Sequence, residues 1–207
     1  MSGLLRDHWW SRPGVEDGRR MLVWHVLLDD APEAVELAGA FRARLAALPG
    51  LDPVPAPWLH ITTQVVGFTD EITPAEAAAM TAAAARWLRG HGPVGVSLGR
   101  DLFHPEGVVL GIDPPGALDP VHRAVREAAA ATVAAHRLAD YTDWADWGPH
   151  LSVAYANADV PTAAVAAALA PRPQPVPLTV RAVHLVSQQR VGRLYRWDPV
   201  TSVPLTG

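Results

Sequence analysis

The chain has 207 residues with 17 basic and 21 acidic side chains, which gives a formal net charge of −4. This charge disfavours an extended duplex nucleic acid as a partner, because contact with many phosphates requires a basic surface. Cysteine is absent and every basic residue is arginine, which excludes disulfides, thiolate nucleophiles, a P-loop lysine, Schiff-base chemistry and nucleotide transfer through lysine.

The sequence has no feature of a membrane or secreted protein. No stretch approaches the roughly 18 uninterrupted apolar residues of a membrane span. The first 18 residues carry Trp9, Trp10 and scattered charges instead of an apolar secretory core. We therefore expect a soluble, cytoplasmic protein, with a monomer favoured. The paired tryptophans are interpreted as a cap on the fold or an assembly contact.

Start signals and helical spacing of apolar residues predict four helices. Asp30–Glu33 and Thr73–Glu76 have the pattern of capping boxes with a proline near the first helical position. Asp119-Pro120 and Asp159–Pro161 mark two further starts. The predicted helices span about 31–48, 73–90, 119–138 and 161–170.

Runs rich in β-branched and aromatic residues predict strands between these helices. They lie at about 21–28, 59–68, 94–102, 107–112, 149–156, 178–188 and 193–198. The order of strands and helices in residues 19–104 is repeated in residues 105–200. We therefore predict one α/β (α+β) domain over residues 1–207, with two pseudo-symmetric lobes. Each lobe would be a mainly antiparallel sheet backed by helices, with a cleft between the lobes.

Each predicted half contains one histidine followed two positions later by a hydroxyl residue. His60 and Thr62 lie in the first half, and His150 and Ser152 lie in the second. Positions i and i+2 of a strand share a face, so each histidine points the same way as its hydroxyl. Both pairs fall on the second strand of their half. A two-fold relation would bring all four side chains into one cleft.

This set of groups is typical of phosphoryl transfer. In-line displacement at phosphorus needs a base near the attacking oxygen and an acid near the leaving oxygen. It also needs donors to the non-bridging oxygens, where negative charge accumulates. Two opposed histidines and two hydroxyls supply these groups without a metal. We predict His60 and His150 as the catalytic pair and Thr62 and Ser152 as the phosphate-binding residues.

The chain resembles the two-histidine (2H) phosphoesterase superfamily, in particular its 2′-5′ RNA ligase-like branch. The segments that carry the resemblance are His60-Ile-Thr62 with Gly67, Pro149-His150-Leu-Ser152, and Leu185–Ser187 with Gly192–Tyr195. The resemblance implies a bilobal α/β fold that acts on 2′,3′-cyclic phosphates or related phosphodiesters without a cofactor or metal. The expected partner is a small nucleotide or an RNA end.

Three residues depart from the family pattern. Ser152 stands where threonine is commoner, Thr63 where an aliphatic residue is usual, and Tyr155 where an arginine often stands. The first change keeps the hydroxyl group. The last leaves the identity of the substrate open.

Other interpretations are weaker. Gly95–Gly99 matches the G-x-S-x-G pattern, but it lies in a predicted strand instead of at a strand-to-helix turn. The histidines have no metal-ligand spacing. The main alternative is a non-catalytic protein of the same fold that binds a nucleotide or an RNA end.

Several residues have a structural and a functional interpretation. His25 is expected in the core or the cleft wall, and His104 in a loop. Trp58 and Trp147 could stack on a base, although packing is favoured. The remaining candidates, which could meet a second phosphate or lie in a solvated turn, are Arg190, Arg193 and Arg196.

Overall fold

A computed structural model describes residues 3–12, 14–100, 103–139 and 147–207. Within these ranges the helices are α1 (Pro32–Leu45), α2 (Pro74–Trp87), α3 (Asp119–Thr132) and α4 (Thr162–Ala168), with 3₁₀ helices at Ala56–Trp58 and Ala135–Arg137. The strands are β1 (Leu4–Leu5), β2 (Arg20–Leu27), β3 (Leu51–Pro53), β4 (His60–Phe68), β5 (Val94–Leu98), β6 (Phe103–His104), β7 (Gly107–Asp113), β8 (His150–Ala156), β9 (Val160–Pro161), β10 (Val176–Val180), β11 (Ala182–Arg190) and β12 (Tyr195–Pro204). The α+β class is confirmed. The end of the strand predicted over 94–102 falls on residues 101 and 102, outside the described residues.

Ten of the described strands form one large antiparallel sheet in the order β10-β5-β7-β8-β4-β2-β11-β12, with β3 and β6 paired to β8 and β7, and β1 pairs with β9 in a separate two-stranded sheet. The sheet does not divide at the predicted halves. The first-half strand β5 pairs with the second-half strand β7, and β11 pairs with β2 of the first half. The two strands at the centre, β4 and β8, pair only at Ile61 and Leu151.

The helices cover one face of the sheet. Inward-facing residues of β4 and β8, including Ile61, Leu151 and Val153, join the helices in one hydrophobic core. Alternation along these strands turns His60 and His150 toward the opposite face. That face has a smaller apolar cluster, which includes Met21 and Trp197. His60 and His150 therefore lie on the side of the sheet away from the helices.

The predicted helix starts are correct in position and partly wrong in their caps. Thr73 and Glu76 form the predicted capping box, with the Glu76 amide donating to Thr73 Oγ1 at 3.2 Å and the Thr73 amide donating to Glu76 Oε2 at 2.9 Å. Helix α1 instead begins at Pro32 after Ala31 and has no side-chain cap. Asp30 stands one position too early in the chain to act as its N-cap.

The third helix is shorter than the predicted range of 119–138. Helix α3 ends at Thr132, and Val133 then adopts an extended conformation before the 3₁₀ turn over Ala135–Arg137. The apolar spacing continues across this break, because residues on both sides pack on the same core. No helix in the described ranges has both the length and the apolar character needed to cross a membrane.

Candidate active site

A cavity of about 330 Å³ opens on the helix-free face of the sheet, where β4 and β8 meet. His60, Thr62, His150 and Ser152 all line it. Residues two apart along each strand project into the same space, and the central position of β4 and β8 brings the two pairs together. The structure therefore gathers the four predicted residues around one cavity.

The two histidines have the same hydrogen-bonding arrangement. Nδ1 of His60 donates to the carbonyl of Trp58 at 2.9 Å, and Nδ1 of His150 donates to the carbonyl of Gly148 at 2.8 Å. A carbonyl oxygen can only accept, so the proton of the neutral ring resides on Nδ1. In both rings Nε2 then keeps its lone pair. Each histidine is prepared to accept a proton at Nε2 or, once charged, to return it.

Burial keeps both rings neutral near pH 7. It lowers the pKa of His60 from its ordinary 6.5 to about 4; the bond to Trp58 opposes this shift and the nearby His150 adds to it. Burial also lowers the pKa of His150, against the effect of its bond to Gly148. A bound phosphodiester anion would favour the charged form of either ring, since opposite charges attract at short range.

The two hydroxyl residues differ in their surroundings. Thr62 is half-buried, whereas Ser152 is only 8% exposed. Burial raises the pKa of the Tyr155 phenol, and the nearby Ser152 side chain opposes this shift. Tyr155 lines the cavity as an uncharged group, at the position where the family pattern often has an arginine.

His25 lies behind His60 and not in the cavity wall. It is fully buried, and its ring centroid is 4.2 Å from that of His60. Nε2 of His25 donates to Oε1 of Gln188 at 2.8 Å, and Gln188 itself lines the cavity. Trp197 packs edge-on against both histidine rings. These contacts fix the ring plane of His60.

His104 lies in a strand and also lines the cavity, so its interpretation as a loop residue was wrong. It ends the short strand β6, and its ring stacks on His150 with centroids 5.4 Å apart. The sequence around it, Phe103-His-Pro-Glu106, has the character of a turn. The pairing of β6 with β7 is a long-range property that this local pattern does not contain.

A group of residues at one end of the cavity was not predicted from the sequence. Glu106 accepts hydrogen bonds from His8, Trp10 and Arg12 of the N-terminal segment at 2.7–2.9 Å. Tyr195 donates its hydroxyl to His8 at 3.1 Å. All five side chains line the cavity. The tryptophan doublet was the available signal, and it was interpreted as a cap or an assembly contact.

The other aromatic and basic candidates do not line this cavity. Trp58 packs edge-on against Trp197 at 4.9 Å, and Trp147 stacks on His122 at 4.1 Å. Arg190 lies over the ring of Trp9, and Arg193 pairs with Asp52 at 3.4 Å. These side chains therefore pack or form ion pairs outside the cavity wall.

Two further interpretations concern serine and metal chemistry. Ser97 of the G-x-S-x-G segment lies within β5, paired with Pro177 and Asp113 on neighbouring strands. It is not at a strand-to-helix turn and does not line the cavity. Among the residues that the structure describes, no group of three or more histidine and carboxylate side chains could hold a metal ion.

Residues 30–192 match the 2′-5′ RNA ligase superfamily, which is most of the chain. The chain belongs to this superfamily. Its matched segment contains both histidines and both hydroxyl residues and begins after the N-terminal segment that contacts Glu106. No curated protein matches the sequence.

Solved structures share the fold at low sequence identity. TT0787 of Thermus thermophilus is 20% identical, with a TM-score of 0.68 over 90% of this chain and 98% of its own. Apo LigT of E. coli is 17% identical, with a TM-score of 0.65 over 93% of this chain and 100% of its own. LigT of E. coli complexed with 3′-AMP is 18% identical, with a TM-score of 0.66 over 91% of this chain and 99% of its own.

Proposed function

We propose that this protein hydrolyses a cyclic phosphodiester, a 2′,3′-cyclic phosphate on a nucleotide or an RNA end, with His60 and His150 as the acid–base pair. The observation that carries this proposal is the matched environment of the two rings. Both line one cavity, and both donate Nδ1–H to the carbonyl two residues earlier. Each therefore offers Nε2 for proton transfer.

The reaction uses one neutral and one protonated histidine. The neutral ring removes a proton from water, and the resulting hydroxide attacks phosphorus. The bond from phosphorus to one ribose oxygen breaks, and the protonated ring gives its proton to that oxygen. The products are a phosphomonoester and a free ribose hydroxyl. Thr62 and Ser152 donate to the non-bridging oxygens, where charge increases in the transition state.

The substrate class is supported by a relative of the same fold. The E. coli LigT structure contains 3′-AMP, and a nucleoside 3′-monophosphate is the product when the 2′ bond of a 2′,3′-cyclic phosphate is cleaved. The cavity volume of about 330 Å³ is near the lower end of typical small-ligand sites, roughly 300–1,000 Å³. This volume suits one nucleotide unit better than an extended nucleic acid.

The direct test is the turnover of adenosine 2′,3′-cyclic phosphate in excess EDTA. Because the imidazoles carry both proton transfers, the rate in EDTA should equal the rate without it. Loss of turnover in EDTA that zinc or manganese restores would contradict the mechanism. Tight binding of the cyclic nucleotide without any turnover would favour a binding protein of the same fold.

A further inference from the structure

The N-terminal segment of residues 3–12, here called the arm, is fixed against one end of the cavity. The amide of Arg6 donates to the Pro105 carbonyl and the amide of His8 to the Ala156 carbonyl, both at 2.8 Å. Strand β1 pairs with β9. The arm precedes residues 30–192, which match the superfamily. It therefore adds a cavity wall that the matched segment does not supply.

Glu106 holds the arm in place through three side chains. His8 Nδ1 donates to Oε2 at 2.9 Å, Trp10 Nε1 donates to Oε1 at 2.7 Å, and Arg12 donates to Oε2 at 2.7 Å. The second end of the Arg12 guanidinium donates to the His8 carbonyl at 2.7 Å. The indole of Trp10 is thus held at its polar edge, and its orientation at the cavity is restricted.

The charges at this end of the cavity cancel. Arg12 and Glu106 form an ion pair in which both side chains are largely buried. Burial lowers the pKa of His8 to about 4, so this ring is neutral near pH 7. Among the described residues, this end of the cavity therefore offers no unpaired positive charge for a second phosphate. It suits an uncharged part of the substrate.

Trp10 supplies the surface that such a group would contact. Its side chain lines the cavity and is 50% exposed. The Arg12 guanidinium lies 4.6 Å from the ring centroid and supports the indole. Heteroaromatic bases stack on exposed aromatic rings of this kind. Val15 and Met21 add apolar surface to the same cavity.

We propose that the arm forms a nucleobase subsite in which the base stacks on Trp10 while the phosphate lies between His60 and His150. This inference rests on the proposed function for the position of the phosphate. It narrows the substrate to a nucleoside cyclic phosphate, in preference to a cyclic phosphate that lacks a base or carries a further phosphate at this end.

The test compares two ligands that differ only in the base. Calorimetry measures the binding of 3′-AMP and of methyl riboside 3-phosphate to wild type and variants. Wild type should bind 3′-AMP about 5- to 150-fold more tightly. Trp10→Ala should remove most of this ratio, and Trp10→Phe should retain most of it. Trp87→Ala, at an exposed tryptophan on α2 outside the cavity, should keep the wild-type ratio.

Equal affinity of wild type for the two ligands would overturn the inference. An unchanged ratio in Trp10→Ala, or a ratio that falls as far in Trp87→Ala, would overturn it as well. The outcome is separate from that of the proposed function, because binding of the monophosphates requires no turnover. A protein that prefers 3′-AMP through Trp10 but never cleaves cyclic phosphates would keep the subsite and lose the proposed reaction.

Discussion

At the scale of single residues, the hydrogen bonds of the two histidines decide what the site can do. The carbonyls of Trp58 and Gly148 accept from Nδ1 of His60 and His150, so both rings have the same tautomer. The sequence predicted that His60 and His150 share one cavity. It did not predict these partners, because the bonds depend on backbone torsions at the start of each strand.

Removal of the Thr62 hydroxyl should slow the reaction without unfolding the protein. Thr62→Val keeps the shape of the side chain and loses one hydrogen bond to a charged group, worth roughly 1.5–3 kcal/mol, so kcat/KM should fall about 10- to 150-fold. Thr62→Ser keeps the hydroxyl and serves as the control, with kcat/KM close to wild type. A Thr62→Val enzyme with unchanged kcat/KM would show that this hydroxyl does not contact the reacting phosphate.

The pH dependence follows from the two lowered pKa values. Turnover needs one neutral and one protonated ring. In the free protein the pKa of His60 lies at about 4 and that of His150 below 6.5. The fraction in the required state therefore falls as pH rises above the higher pKa and as pH falls below the lower one. The profile of kcat/KM should be a bell with its maximum below pH 6.5.

The profile of kcat should have its maximum at higher pH than that of kcat/KM. Bound phosphodiester carries negative charge and stabilises the imidazolium, which raises the pKa values in the complex. Steady-state rates from pH 4 to 9 measure both profiles. A kcat/KM that stays constant between pH 5 and pH 8 is incompatible with acid–base catalysis by this pair.

At the scale of elements, β4 and β8 bring the two motifs together. Each strand gives alternate residues to the core and to the cavity, so Ile61 and Leu151 are fully buried while their neighbours face the cavity. This alternation was predictable from sequence. The pairing of β5 with β7 and of β11 with β2, across the predicted halves, was not predictable. Strand pairing between residues so far apart in the chain leaves no local pattern.

Gly67 of β4 packs closely against the backbone of Arg137. A Cβ at this position would lie 2.4 Å from the carbonyl oxygen of Arg137, which is shorter than any allowed contact. Gly67→Ala should therefore lower the free energy of unfolding by roughly 1–3 kcal/mol. Gly39→Ala in α1, where a Cβ would meet no atom within 4 Å except the nearby backbone of its own helix, should leave it unchanged or raise it by up to about 1 kcal/mol.

Urea unfolding of the two glycine variants measures this difference. Thermal melting should give the same order, with Gly67→Ala below wild type and Gly39→Ala at or above it. Equal stability of Gly67→Ala and wild type would mean that the Arg137 backbone can move away from β4 at no cost.

At the scale of the whole molecule, the cavity combines distant parts of the chain, and three of these parts supply the proposed catalytic groups and the proposed subsite. β4 and β8 supply the histidines and hydroxyls, and the arm supplies His8, Trp10 and Arg12. The first two parts were predictable, because a repeated motif on repeated elements indicates a common site. The position of the arm was not predictable, since its contacts with Glu106 join residues about a hundred positions apart in the sequence.

The measurement that tests the central claim most directly is kcat/KM for His60→Asn, His150→Asn and the double variant with a nucleoside 2′,3′-cyclic phosphate. Asparagine retains a donor near the position of Nδ1 and removes Nε2. Melting temperatures of the same preparations establish that the variants are folded.

Each single change should lower kcat/KM roughly 10²- to 10⁴-fold. The double variant should lose far less than the product of the two effects, because the pair works as a unit. A folded single variant with wild-type kcat/KM would contradict the account.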